Sequence, residues 1–191
     1  MLTLDLLRHG ETELGGGFRG SLDDQLTPAG WQQMRQATHK PDRWDAIISS
    51  PLRRCADFAG ELAQQCDVPL VLQADLQELH FGDWEGCHAS ELMLEHADEL
   101  GRFWSAPYEF TPHGGEPMVQ FEQRVLSAVR ALYQGHAGKH VLLVTHGGVM
   151  RLLAARARGL ARDQLLQVEV GHGQRLRLQL DAQGELHECP Y

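Results

Sequence analysis

Apolar and polar positions alternate at the beginning of the chain with the period of a β-strand. Leu2, Leu4 and Leu6 are separated by polar residues, and this period of two predicts a strand with one buried face. Asp5 lies inside the same strand and conflicts with full burial. The apolar pattern stops at Arg8–Gly10, which places a cation and an imidazole at the carboxyl end of the strand. Because ligands of open α/β sheets bind outside such strand ends, this end is a candidate binding site.

The remainder of the chain is predicted to alternate between helices and strands. Further strands are expected at residues 45–49, 69–72, 141–144, 165–170 and 175–180. Helices are expected at residues 28–39, with a stop at Pro41, and at 51–66, 90–102, 118–132 and 149–158. The run 141–144 is apolar at every position, which is typical of a central parallel strand buried on both faces. The alternation within Leu176–Leu180 instead indicates an edge strand.

This order of elements predicts the fold class. Alternating strands and helices favour an α/β fold, a three-layer α/β/α sandwich whose central sheet is mostly parallel with helices on both faces. A length of 191 residues is enough for one core, so a single domain over residues 1–191 is expected. An irregular excursion at about residues 76–117 is predicted to lie over the sheet and the candidate site.

Composition and charge argue against partners such as nucleic acids and membranes. The formal net charge of −9 argues against a nucleic-acid-binding surface, but a few arginines in one pocket can still bind a small anion. The four cysteines lack a metal-binding spacing, which favours reduced thiols in the cytoplasm. No signal-peptide pattern and no membrane-spanning apolar run is present, so no membrane partner is expected.

Two histidine-glycine pairs follow strand patterns directly. The pair occurs four times in the sequence, at His9, His113, His146 and His172. His9 and His146 each end an apolar run, so both are expected to project from the same edge of the sheet, whereas His172 is interpreted as a surface residue. Arg53 and Arg54 fall in the first turn of a predicted helix, where the helix dipole disfavours cations and an anion is therefore expected.

Four segments, in this order, resemble the motifs of the histidine phosphatase family, which has the phosphoglycerate-mutase-like fold. They are Leu7–Thr12, Ser49–Cys55, Leu76–Gly86 and Val144–Gly148. The resemblance implies that His9 takes up the phosphoryl group and that Arg54, rather than Arg53, aligns with a phosphate-binding arginine. It also implies that Glu78 is the catalytic acid and that His146 is the second active-site histidine.

The family chemistry assigns a role to each of these residues. A neutral His9 would attack phosphorus and form a phosphohistidine. Arg8, Arg54 and His146 would donate hydrogen bonds to the phosphoryl oxygens and stabilise the charge of the transition state. Glu78 would protonate the departing alkoxide and then help to activate water. The cationic side chains take the role of a metal, so no metal or other cofactor is expected.

Other residues are weaker candidates for contacts with the phosphate or with the leaving group. Thr12 and the backbone of Gly147 are weaker candidates for phosphate contacts, and Gly15 stands where the family commonly has Asn. Backbone N–H groups of Gly15–Gly17 are expected to replace that side chain. His113 and Glu116 resemble a family loop that borders the site. Five aromatic residues are candidates for stacking on a planar leaving group: Phe18, Phe81, Trp84, Trp104 and Tyr108.

The substrate is expected to be a small phosphorylated molecule. Residues 11–24 and 78–86 look most like a group within the family that dephosphorylates α-ribazole 5′-phosphate in cobalamin biosynthesis. Three alternatives remain open. They are a broad-specificity phosphatase of the same family, a phosphoglycerate mutase, and a non-catalytic protein that binds phosphate.

Overall fold

The computed structural model describes residues 1–39 and 43–189, so the predicted stop at Pro41 lies outside the described residues. The strands are β1 Leu2–Arg8, β2 Ala46–Ser49, β3 Leu70–Leu72, β4 His140–Thr145, β5 Arg175–Leu180 and β6 Leu186–Glu188. The helices are α1 Pro28–Thr38, α2 Arg53–Cys66, α3 Ala89–Glu95, α4 Ala97–Ser105, α5 Met118–His136 and α6 Gly147–Ala157. None of these helices has the length and apolarity needed to cross a membrane.

The strands form one sheet in the order β3-β2-β4-β1-β5-β6. β1 and β3 flank the β2–β4 pair in parallel, whereas β5 pairs antiparallel with β1, and β6 pairs antiparallel with β5. The prediction of a mostly parallel sheet is therefore confirmed. In the register of β1 and β4, Arg8 lies opposite Thr145, so the residues that follow the two strands emerge side by side.

Successive residues of the central strands enter two separate cores. In β4, Leu142 and Val144 pack with residues of α1 and α2 on one face of the sheet. Val141 and Leu143 pack with α5 and α6 on the other face. Because a strand turns alternate side chains to opposite faces, an all-apolar strand requires cover on both sides. The three-layer α/β/α arrangement is confirmed.

The prediction that β1 has one buried face was wrong, because both of its faces are buried. Leu7 packs in the core beneath α1 and α2, and Asp5 is completely buried on the same face. Arg175 and Arg177 pair with the Asp5 carboxylate at 2.7 Å, and the Trp44 indole donates to it at 2.9 Å. Since a buried charge is tolerated when it is paired and hydrogen-bonded, these contacts explain how an acidic residue occupies an interior strand.

Three further predictions require correction. Residues 165–170 do not form a strand, because Arg162–Gln167 is a 3₁₀ helix whose Leu165 packs in the core. A short apolar run fits either element, and only packing distinguishes them. β5 is not at the edge of the sheet, since β6 turns back and pairs with it. Helix α2 begins at Arg53, two residues later than expected, after Leu52 in an extended conformation.

The predicted excursion holds the short helices α3 and α4 and a cluster of aromatic side chains. The rings of Phe18 and Phe81 lie 5.0 Å apart, and those of Trp84 and Phe103 lie 5.6 Å apart. Glu85 connects this region to the loop after β1, because its carboxylate accepts hydrogen bonds from several backbone N–H groups. The donors are Gly20, Ser21, Leu22 and Phe81. This bridge fixes the loop that carries Phe18.

Candidate active site

His9 directly follows β1 and is 7% exposed. Its Nδ1 atom lies 2.8 Å from the carbonyl oxygen of Gly10. Because a carbonyl only accepts hydrogen bonds, Nδ1 carries the proton and the lone pair of a neutral ring is on Nε2. Burial, followed by the charge of Arg54, lowers the pKa of His9 well below its usual value of 6.5. His9 is therefore a neutral imidazole with an unprotonated Nε2.

His146 follows β4 and is completely buried beside His9, with 5.3 Å between the ring centroids. Arg54 Nε donates to His146 Nδ1 at 3.2 Å, which leaves the proton of the neutral ring on Nε2. This Nε2–H donates to Ser50 Oγ at 2.7 Å. Burial and Arg54 lower the pKa of His146 well below 6.5. The two histidines thus face each other as neutral rings with opposite tautomers.

Arg8 is held at the carboxyl end of β1 by the segment that precedes β5. Its Nη1 donates to the Val170 carbonyl at 2.6 Å, and its Nη2 lies 3.2 Å from His172 Nε2. Its Nε is buried with no hydrogen-bond partner among the described residues. A Cβ at Gly147 would come within 3.2 Å of this Nε, so the glycine allows the guanidinium to lie against the start of α6. The orphaned N–H suggests a ligand oxygen as its partner.

The interpretation of His172 as a surface residue missed its contact with the site. The side chain is exposed, but its ring centroid lies 5.7 Å from that of His9. Partial desolvation of the ring, together with the charges of Arg8 and Arg19, lowers the pKa of His172 to about 4, so the neutral ring can accept a hydrogen bond from Arg8. The one signal in the sequence was its histidine-glycine pair, which does not follow a strand.

Arg54 lies beside the histidines and Arg53 does not. The Arg54 side chain is completely buried, and besides His146 it donates to the carbonyl oxygens of Leu22 and Gly20, each at 2.8 Å. Arg53 is exposed and pairs with Asp57 at 3.5 Å. Most of the Arg54 N–H groups are therefore already bound to protein acceptors, which connects the loop after β1 to the second histidine.

Glu78 lies against the first turn of α6. Its Oε2 accepts from the Gly148 N–H at 2.9 Å, and its Oε1 accepts from the Leu79 N–H at 3.0 Å. A Cβ at Gly148 would lie 2.2 Å from Glu78 Oε1, so a larger residue there would displace the carboxyl group. Arg124 of α5 fixes the preceding segment by donating to backbone oxygens of Asp75, Gln77 and Glu78. The carboxyl group is thus positioned from both sides.

The two residues of the loop that was expected to border the site, His113 and Glu116, have different positions relative to Glu78 and the buried histidines. Glu116 pairs with Arg124 at 2.7 Å and thereby takes part in positioning Glu78. The side chain of His113 is 92% exposed and pairs with Asp83, away from the buried histidines. Glu116 therefore acts through Arg124, and His113 has no contact with the predicted site residues.

The glycine-rich loop differs from expectation. Thr12 is buried, and its Oγ1 accepts a hydrogen bond from Arg19 Nη1. The Gly15 N–H donates to the Thr12 carbonyl at 3.0 Å, and the Gly15 carbonyl accepts from Arg19 Nη2 at 2.5 Å. The Gly15 amide is therefore engaged inside the loop. Arg19 was not among the predicted site residues, although it lies in the stretch 11–24 that resembles one group of the family.

A cavity of about 200 Å³ opens beside Glu78 and Gly148. Its wall is mainly apolar, with both aromatic and aliphatic side chains, and carries one arginine. The lining includes Phe18, Phe81, Phe103, Trp104, Phe121 and Arg151. An apolar cavity with a few polar groups is the usual form of a small-molecule site. Its position next to the carboxyl group suits a leaving group.

The immediate surroundings of the two histidines are cationic. Arg8 and Arg54 lie around them, and α6 points its N-terminus at the same place, where backbone N–H groups and the helix dipole favour anions. Within the described parts of the chain, no group of three His, Cys, Asp or Glu side chains could hold a metal ion. The arrangement is suited to a tetrahedral anion such as a phosphoryl group.

Comparison with known proteins agrees with this geometry. Residues 4–188 match the model of the histidine phosphatase superfamily, branch 1. The chain is 36% identical over 172 residues to the glucosyl-3-phosphoglycerate phosphatase of Mycolicibacterium vanbaalenii, covering 84% of this chain and 76% of that protein. It is 29% identical over 177 residues to the adenosylcobalamin/alpha-ribazole phosphatase of Escherichia coli, covering 90% of this chain and 87% of that one.

A solved structure extends the similarity to the whole fold. YhfR of Bacillus stearothermophilus has a TM-score of 0.89 and 30% sequence identity, over 98% of this chain and 95% of that chain. The relatives are phosphatases whose names give different substrates at comparable identity. Similarity alone therefore leaves the leaving group open.

Proposed function

Since the chain belongs to the histidine phosphatase superfamily, we propose that it is a phosphomonoesterase that works through a phosphohistidine at His9. The observation that carries this proposal is the state of the His9 ring. Its Nδ1–H is bound to the Gly10 carbonyl, and burial keeps the ring neutral, so the Nε2 lone pair is available for attack. The orphaned Nε of Arg8 supplies a donor for a phosphoryl oxygen.

In the first step, His9 Nε2 forms a bond to phosphorus while the bond from phosphorus to the ester oxygen breaks. Protonated Glu78 gives its proton to the departing alkoxide. In the second step, Glu78 takes a proton from water, the water oxygen bonds to phosphorus, and the His9 nitrogen leaves. Inorganic phosphate and neutral His9 are the result, and Glu78 is again protonated.

His146 and Arg54 stabilise the charge during these steps. His146 Nε2–H points at Ser50 Oγ, and a phosphoryl oxygen can replace that hydroxyl as its acceptor. Arg54 fixes the ring through Nδ1, so its main contribution is to orient His146 and to add positive charge. With guanidinium groups supplying the charge, we propose that the reaction needs no metal. The four unpaired thiols are consistent with a cytoplasmic enzyme.

For the substrate, we propose a phosphate ester whose leaving group is planar and largely apolar, with α-ribazole 5′-phosphate as the specific candidate. The aromatic cavity beside Glu78 supports this, because rings such as Phe81 and Trp104 can pack on a planar benzimidazole. A broad-specificity phosphatase is the second candidate. It is favoured by the same cavity, in which Arg151 is the main polar feature besides Glu78. A mutase or a purely phosphate-binding role fits the site less well.

The test is a comparison of phosphate release from three substrates under one set of conditions. α-Ribazole 5′-phosphate is expected to give the highest kcat/KM, p-nitrophenyl phosphate an intermediate one, and 3-phosphoglycerate the lowest. Equal values for the first two would remove the specific assignment and leave the broad-specificity phosphatase. Isomerisation of 3-phosphoglycerate would indicate a mutase, and loss of activity with a chelator would indicate a metal mechanism.

A further inference from the structure

Arg19 is a buried cation next to the loop that follows His9. Its Nη1 donates to Thr12 Oγ1 and pairs with Asp24 at 3.2 Å, and the side chain is 10% exposed. Its Nη2 donates to the Gly15 carbonyl at 2.5 Å. A guanidinium has five N–H donors, so these contacts leave the Nε–H and one N–H of Nη2 for other acceptors.

The remaining donors point to a ligand. Arg19 Nε is buried with no hydrogen-bond partner among the described residues, and the same is true of Arg8 Nε. Native proteins rarely leave a buried N–H unpaired, because removing it from water without an acceptor is unfavourable. The unpaired Nε–H distinguishes Arg8 and Arg19 from Arg54, whose N–H groups donate to carbonyl oxygens and to His146.

The positive charges of Arg8 and Arg19 both influence one imidazole next to His9. Both guanidinium groups act on the His172 imidazole, which Arg8 Nη2 contacts at 3.2 Å and whose ring lies 5.7 Å from that of His9. Burial lowers the pKa of Arg19, and although Asp24 opposes this effect, the charge of Arg54 adds to it. Neighbouring cations repel one another, and a doubly charged anion beside them relieves the repulsion.

The backbone around Arg19 is also held firmly. The next three N–H groups, of Gly20, Ser21 and Leu22, donate to the Glu85 carboxylate. Arg54 donates to the Arg19 and Gly20 carbonyls. A donor on such a fixed segment loses little freedom when it binds an anion, which is the requirement for a preorganised site.

We propose that Arg19 is a catalytic residue that donates to an oxygen of the substrate phosphoryl group alongside Arg8. The inference rests on the proposed function and deepens it, because it adds a third guanidinium to the phosphoryl site.

A purely structural role of Arg19 makes a different prediction. In that case the arginine only holds the loop through its pair with Asp24, and removal of either partner should weaken the site equally. If Arg19 instead binds the phosphoryl group, Asp24 competes with the substrate for the same cation. Replacement of Asp24 by Asn keeps an acceptor for the Leu14 N–H, which now donates to Asp24, but it removes the competing charge.

The experiment measures the dissociation constant of inorganic phosphate by calorimetry and kcat/KM for p-nitrophenyl phosphate. The proteins are the wild type, Arg19→Met, Arg19→Lys and Asp24→Asn, each with its melting temperature. Arg19→Met is expected to weaken phosphate binding roughly 10- to 100-fold, the range for a hydrogen bond to a charged group. Arg19→Lys is expected to be intermediate, and Asp24→Asn is expected to bind phosphate as tightly as the wild type or more tightly.

Unchanged phosphate binding in folded Arg19→Met would overturn the inference, as would an equal loss in Asp24→Asn. Should Arg19→Met fail to fold, the comparison of Arg19→Lys with Asp24→Asn takes its place. The inference is then overturned if Arg19→Lys binds phosphate as tightly as the wild type, or if Asp24→Asn loses as much affinity as Arg19→Lys. A wild type that binds phosphate but releases none from any ester would refute the proposed function instead. The binding and turnover measurements therefore separate the two failures.

Discussion

At the scale of single residues, the position of one proton determines what the His9 ring can do. The Gly10 carbonyl holds the proton on Nδ1, and the neighbouring cations disfavour a second proton on Nε2. His146 has the opposite tautomer because Arg54 donates to its Nδ1. Two neutral imidazoles of different tautomer can therefore serve as nucleophile and hydrogen-bond donor in the same site.

Replacement of His9, the proposed nucleophile, should separate chemistry from binding. We expect His9→Ala to abolish turnover of p-nitrophenyl phosphate, because the substitution removes the Nε2 lone pair that is proposed to attack phosphorus. Arg8 remains, so inorganic phosphate should still bind within a few-fold of the wild-type affinity. Steady-state kinetics and calorimetry measure the two quantities.

His187→Ala is the matched control, since this exposed histidine contacts Asp181 far from the site residues and should leave activity unchanged. Residual turnover by His9→Ala, above the level of a preparation lacking the enzyme, would exclude His9 as the nucleophile.

At the scale of elements, the site is assembled where β1 and β4 end and α6 begins. Strand register brings His9 and His146 together, and the first turn of α6 places Gly148 against Glu78. The loop after β1 closes the other side and is fixed to the excursion by Glu85. The glycine at the second position of α6 thus leaves room for the Glu78 carboxyl group.

This contact predicts the effect of Gly148→Ala. The added Cβ would lie 2.2 Å from Glu78 Oε1 and must displace the carboxyl group. Because general acid catalysis contributes about 10²- to 10⁴-fold, we expect kcat for a poor leaving group to fall by at least roughly tenfold. Phosphate affinity should change little, since Glu78 is not a phosphate ligand. Kinetics with an alkyl phosphate ester measure the effect.

Gly60→Ala in α2 is the control, because a Cβ there meets no atom within 4 Å. It should retain full activity and raise the free energy of unfolding by about 0.5–1 kcal/mol through helix propensity. A Gly148→Ala enzyme with wild-type kcat would show that Glu78 is not positioned by this glycine.

At the scale of the whole molecule, burial of the site makes stability depend on pH. His9, His146 and His172 all have pKa values lowered from 6.5, with burial as the first cause. Below pH 6.5 the unfolded chain therefore binds protons that the folded protein does not bind. Stability is complete above this pH and decreases as the pH falls.

We expect the free energy of unfolding in urea to decrease between pH 7 and pH 4.5. Each buried neutral histidine contributes a slope of up to about 1.4 kcal/mol per pH unit. His146→Asn should show a smaller slope than the wild type, whereas His187→Ala should show the wild-type slope. Equal slopes for His146→Asn and the wild type would mean that His146 is protonated in the folded protein.

Asp5 adds a second effect at lower pH. Although burial alone would raise its pKa, hydrogen bonds from His140, Arg177 and Trp44 hold it well below the usual value of 3.8. The folded protein therefore keeps this carboxylate ionised where the unfolded chain is protonated, and stability falls further below about pH 4.

Local patterns were sufficient to predict several parts of the molecule. The alternation of Leu2–Leu6, the apolar run of Val141–Val144 and the helical spacing of α2 and α5 each depend on neighbouring residues, so the sequence predicts them. The position of His9 and His146 at one sheet edge follows from the same patterns, because parallel strands end at a common edge. The error at residues 165–170 arose where a short apolar run is compatible with either element.

The sequence by itself determined the α/β class, the strand ends that carry the histidines and the family motifs with Arg54 and Glu78, because these depend on local periodicity and order. The tertiary structure alone decided which residues, distant in the sequence, contact these strand ends and motifs. His172 reaches Arg8 across 164 positions, Asp5 is neutralised by Arg175 and Arg177, and Arg19 lies buried against Thr12. Such contacts are fixed by packing and charge pairing between elements, and no local pattern encodes them.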